Sequence, residues 1–92
     1  MESYKRTYVA VNADFRSDGL ILPKSISWYD DHKYQIDRVI RVEQAAARKA
    51  GSSGDRYTIM VRGKQTYLFF ERSTNLSGPN IGRWFVEERI SS

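Results

Sequence analysis

Apolar and polar residues alternate along most of this chain. Over residues 8–16, Val9, Val11, Ala13 and Phe15 fall on one face, with Asn12 and Asp14 on the other. A period of two marks a half-buried strand. Ser17-Asp18-Gly19 then predicts a turn, with Gly19 able to take a positive φ. A second strand is expected over residues 20–29, where Ile26 and Trp28 share a face and Pro23 points to a sheet edge or a strand entrance. The third, over residues 33–43, sets Tyr34 with Ile36 and then Ile40 with Val42. A three-residue loop, Asp30-Asp31-His32, opposes Trp28 to Tyr34 and Ile26 to Ile36; a two-residue loop would oppose Trp28 to Gln35 and mix the faces. His32 then takes the left-handed position, and a bulge near Asp37-Arg38 keeps Arg38 from turning inward.

Residues 44–54 read QAAARKAGSSG, too short for a helix that stands alone, and predict a loop with one helical turn. A hairpin follows over residues 55–72. With Gly63-Lys64 as the central pair of a type II′ turn, Val61 opposes Thr66, Ile59 opposes Leu68 and Tyr57 opposes Phe70. That register also sets Arg56 opposite Glu71 and Asp55 opposite Arg72. After a turn-rich stretch, a last strand over residues 83–90 has Trp84 and Val86 on one face and Phe85 on the other. The expectation is one all-β domain over residues 1–92, a small SH3-like barrel or rolled antiparallel sheet of about six strands.

Composition narrows the chemistry. There are no cysteines, which excludes a disulfide framework and a thiolate metal site and suits a reducing cytoplasm. No continuous apolar stretch reads as a signal peptide or a membrane span, so a cytoplasmic location is expected. The net charge of +4 permits an acidic or nucleic-acid partner without requiring one. His32 sits at a hairpin tip beside Asp30 and Asp31; a metal or acid/base site would need further ligands or an orienting partner, and it reads as a solvated turn. Glu87 and Glu88 point to opposite faces of a strand, and the GPNIG run at 78–82 lacks the Lys-Ser/Thr of a phosphate loop. No catalytic constellation is expected, nor any metal or cofactor.

The outer face of the hairpin remains. There the same register groups Met60 with Tyr67 and Thr58 with Phe69, with Arg62 and Lys64 toward the tip and Arg83 and Phe85 joining from the last strand. Aromatic rings among cations can stack bases and hold phosphates, or line a peptide groove. Arg48 and Lys49, in the loop, are further anion contacts. A small-ligand site near Trp28 and Trp84 is a lesser alternative.

The run 23–89 has a recognisable outline: the proline-led strand with Trp28, then Tyr34 and Arg38-Val39-Ile40, then Arg56-Tyr57, the Tyr67–Phe70 strand and the closing GRWFVEE. It resembles an uncharacterised small bacterial β domain that follows, or is encoded beside, Y-family (translesion) DNA-polymerase-like proteins. The chain departs from that outline in its Asp/His hairpin, where a glycine turn belongs, and in its additional N-terminal strand. The resemblance implies a DNA-repair context and supplies no catalytic residue. Together these observations point to a non-enzymatic accessory module that contacts nucleic acid, or a nucleic-acid enzyme such as a DNA-polymerase-like protein. The alternative is a protein-interaction or homo-oligomerisation domain with no nucleic-acid contact.

Overall fold

The computed structural model describes residues 3–28, 31–44, 54–73 and 81–90. None of these is helical. Seven strands, β1 (Ser3–Phe15), β2 (Ile21–Ser27), β3 (Lys33–Gln35), β4 (Arg38–Glu43), β5 (Asp55–Val61), β6 (Lys64–Arg72) and β7 (Gly82–Ile90), form one antiparallel sheet in the order β3-β2-β1-β7-β6-β5-β4. β3 and β4 follow one another in the chain yet lie at opposite ends of that order. The sheet therefore curls. At the bend between them, Ile36 N–H donates to Lys24 O (2.9 Å) and Asp37 N–H donates to Met60 O (2.8 Å), so one two-residue corner is bonded to β2 on one side and to β5 on the other. The single expected strand over residues 33–43 is broken at this corner, which raises the count from six to seven.

The concave face carries the core. Ile26, Tyr57, Ile59, Leu68 and Phe70 are buried together, with Val9, Val11, Trp28, Ile36, Val39, Trp84 and Val86 packed around them. Except for Val39, which takes the place expected of Ile40, these are the alternating positions read from the sequence, and each fully buried aliphatic or aromatic side chain contributes about 1.5–3 kcal/mol. Phe15 is a second departure. It was expected inward, but β2 has one residue more than β1 between Asn12 and Ala13, and beyond that bulge Phe15 is 70% exposed. Pro23 is buried at the same bulge, near the entrance of β2 as expected, where β2 pairs with β1 and has not yet reached the pairs with β3 that run from Ser25 to Ser27. An irregular pairing is where a missing donor does least harm.

Both expected hairpin registers are corrected by two residues. The β5–β6 turn is Arg62-Gly63, with φ of 52° and 75°, a type I′ pattern instead of the II′ turn about Gly63-Lys64. Tyr57 then opposes Leu68, Ile59 opposes Thr66 and Asp55 opposes Phe70. The left-handed conformation costs Arg62 roughly 1–2 kcal/mol. Two contacts offset that: its guanidinium lies 5.0 Å from the Tyr34 ring centroid, and Gly63 N–H donates to Asp37 Oδ2 (3.4 Å). In the β2–β3 connection Ser27 opposes Lys33 and Ile26 opposes Tyr34, and Asp31 rather than His32 takes the positive φ (66°). A slip of two leaves every side chain on its own face, so the face assignments survive both corrections. The bulge anticipated near Asp37-Arg38 falls a little later, between Val39 and Arg41, and turns Ile40 outward.

Candidate nucleic-acid interface

The convex face was the expected platform, and its centre is closed. Phe69 (4% exposed) and Phe85 (1%) oppose one another across β6 and β7 and stack face to face, with centroids 5.0 Å apart and planes 7° apart. Tyr8 on β1 meets Phe85 edge-on at 5.7 Å, and the Arg6 guanidinium lies 4.9 Å above the Phe85 ring. Tyr67 is 39% exposed, but the Arg56 guanidinium covers its ring at 4.6 Å, as Arg83 covers Tyr8 at 3.9 Å. Carboxylates hold these guanidinium groups in turn. Glu71 accepts from Arg6 (2.8 Å) and Arg83 (3.0 Å), and Glu43 accepts from Arg56 (2.8 Å). The bond to Glu43 raises the Arg56 pKa above its already high ordinary value. Arg56 thus pairs with Glu43 and not, as its expected register had it, with Glu71. The other expected pair, Asp55 with Arg72, is present at 3.1 Å.

The ion pairs are unevenly distributed. Of the twelve Lys and Arg whose side chains are described, eight lie within 4 Å of a carboxylate: Lys5, Arg6, Arg16, Lys24, Arg41, Arg56, Arg72 and Arg83. Lys33, Arg38, Arg62 and Lys64 do not. All four gather at the hairpin end. Arg62 is in the β5–β6 turn, and Lys64 opposes Val61 beside it. Arg38 shares a row with Met60 and Gln65, and Lys33 precedes Tyr34, the residue that Arg62 covers.

The same end holds a notch. β6 pairs with β7 only from Phe69 to Arg72; toward the hairpin tip the two strands diverge. The gap is a cavity of about 280 Å³ walled by Trp28, Tyr34, Val61, Thr66 and Tyr67, with Glu87 and Glu88 on the β7 side. Trp28 and Tyr34 meet nearly at right angles (85°, centroids 6.4 Å apart). No family model, curated protein or solved structure matches this chain. The site therefore stands on its own geometry.

Of the expected site residues, Tyr67 lines the notch, Arg62 covers its Tyr34 wall, Lys64 opposes its Val61 wall, and half-buried Met60 lies one row behind the tip. Phe69, Phe85 and Arg83 belong to the closed convex centre, and Arg48 and Lys49 lie outside the described residues. Trp28 lines the notch, whereas Trp84 packs in the core between Tyr57 and Phe70, so the two tryptophans do not share a pocket. Lys33, Tyr34 and Arg38 join the site without having been expected there. Lys33 and Arg38 oppose Ser27 and Met60 and no carboxylate, a weak signal that gains meaning only once the other cations are seen to be paired. Among the described residues, no three His, Cys, Asp or Glu are grouped as a metal site, and no helix is long and apolar enough to cross a membrane.

Proposed function

We propose that this domain is a non-enzymatic binding module that contacts the phosphate backbone of nucleic acid through its hairpin end. The segregation of charge carries the reading. Eight described cations are spent on carboxylates, and the four that are not converge on one end, beside an aromatic cleft. Unneutralised cations release condensed counterions when they meet phosphates, which makes such binding steeply salt-dependent. Fluorescence anisotropy with labelled single- and double-stranded DNA at low and high salt tests this. Measurable affinity that weakens as salt rises is expected, and affinity that is absent or indifferent to salt overturns the reading. The DNA-repair setting implied by the family resemblance fits this role.

A second reading rests on a separate observation. Tyr4, Tyr8 and Tyr67 are each about half exposed on the convex face, among Arg6, Arg56 and Arg83. Tyrosine and arginine are the residues enriched in protein-interface hot spots, and here the guanidinium groups are already fixed in place. A second copy of the chain or a DNA-polymerase-like protein is the partner to try. A strict monomer by light scattering that fails to co-purify with such a polymerase argues against it.

A further inference from the structure

We propose that the notch between β6 and β7 takes one unstacked, amino-bearing nucleobase, so that the module prefers single strands containing such bases. This rests on the reading of the hairpin end as a phosphate contact. At about 280 Å³ the cavity falls just below the roughly 300–1,000 Å³ of pockets for drug-sized ligands, which suits one flat ring system. Its aromatic walls suit the same guest: a ring lying on one of the crossed Trp28 and Tyr34 rings offers its edge to the other. Base–aromatic stacking of this kind changes affinity by about ten- to a hundredfold.

Charge then sets the orientation. Arg62 and Lys64 lie on the hairpin side of the gap, Lys33 beside Tyr34, and Glu87 and Glu88 on the β7 side. A strand whose phosphates follow the cations directs its bases across the gap toward the carboxylates. Ionised carboxylates only accept hydrogen bonds. They suit the exocyclic amino group of cytosine or adenine and oppose the O4 carbonyl of thymine. Glu88 already accepts from the Thr7 hydroxyl through Oε2 (2.8 Å), and Lys5 Nζ lies 3.8 Å from the same oxygen, so the guest's amino group would meet Glu88 through Oε1. Bases in a duplex are paired and stacked, and cannot enter.

Competition anisotropy among oligodeoxycytidine, oligodeoxythymidine and a duplex of equal length decides the matter. Oligodeoxycytidine should bind about tenfold tighter than either of the others and should quench tryptophan emission in the wild type but not in Trp28→Leu. Trp28 also packs against the core, so Thr66→Leu provides a second test. Thr66 is exposed on the notch wall and uncharged, and the larger side chain should lower the oligodeoxycytidine affinity to the duplex level while duplex affinity stays unchanged. Equal binding of all three ligands, or thymidine matching cytidine, overturns the notch assignment and leaves the phosphate contact standing. Binding to none of them overturns the phosphate contact itself.

Discussion

Replacing Phe85 asks directly whether the convex face is closed. The ring is 1% exposed on a face that no second sheet covers, so its burial depends on flat-lying neighbours. Phe85→Ala removes a fully buried ring and should cost about 4 kcal/mol, within the 3–5 typical of Phe→Ala in cores. Phe85→Leu keeps most of the volume and isolates the ring interactions. These are the stack on Phe69 and the edge contact with Tyr8, about 0.5–1.5 kcal/mol each, and the Arg6 contact, about 0.5–1 kcal/mol; together they come to about 1.5–4 kcal/mol. Tyr67→Ala, at a partly exposed ring, should cost only about 1–2 kcal/mol. Equilibrium urea unfolding reads all three. With a slope near 1 kcal/mol/M for a domain this small, Phe85→Leu should lower the midpoint by about 1.5–4 M. The alanine variant should lose much of the roughly 5–15 kcal/mol that single domains possess. If both Phe85 variants lie within about 0.5 kcal/mol of wild type, as ordinary surface substitutions do, the face is open and the stacking platform expected from the sequence is restored.

Other outcomes follow from particular residues. Thr58→Val should raise the urea midpoint, by about 1 kcal/mol in stability, because the Thr58 hydroxyl is buried and meets no hydrogen-bond partner among the described residues; an unchanged or lower midpoint refutes this. Gly82→Ala should cost about 3 kcal/mol, since its Cβ would fall 2.6 Å from Glu71 O and the Phe70 ring at a φ of +157°. Gly63→Ala, in open space at φ +75°, should cost only about 1, and comparable losses for the two would contradict the packing around Gly82. Burial holds the Tyr57 phenol pKa above its ordinary value, with Asp55 adding to the shift. The folded form therefore keeps its proton longer, and the stability this gives is complete at neutral pH and lost as pH rises above about 10. Alkaline urea titrations should show Tyr57→Phe losing less than wild type, and parallel losses would remove Tyr57 as the cause.

Apart from Phe15 and Ile40, which face each residue takes was legible in the sequence; which partner it meets was not. Ile26, Tyr34, Tyr57, Ile59, Leu68, Phe70, Trp84 and Val86 all face as their alternation predicts, because burying one face of a strand fixes parity. A slip of two residues preserves parity, so the choice passes to the turns. There the backbone twist of a I′ turn outweighed the preference of Arg62 for negative φ, and a five-residue connection displaced the three-residue loop at Asp30-Asp31-His32. The corner at Ile36-Asp37 was visible only as an awkward Arg38. The Tyr67, Arg62 and Lys64 portion of the candidate site was also legible. Its other half depends on where β6 and β7 cease to pair, and strand pattern alone does not encode that.

The ion pairs also give the salt dependence a position along the molecule. Arg62 and Lys64 meet no carboxylate, so a phosphate they engage displaces counterions; losing either cation should flatten the slope of log affinity against log salt by about 1. Arg6 and Arg83 are different, because both are held on Glu71. Removing them together takes away no counterion-releasing contact and strips Glu71 of both its cations, leaving it only the Tyr8 hydroxyl (3.3 Å). Affinity then falls only modestly, through repulsion that salt screens within about 10 Å at 0.1 M, and the slope stays near its wild-type value. Equal slope changes for the two sets would place the phosphates on the convex face. A change confined to Arg62 and Lys64 would place them at the hairpin end, where a net charge of only +4 becomes a concentrated local field.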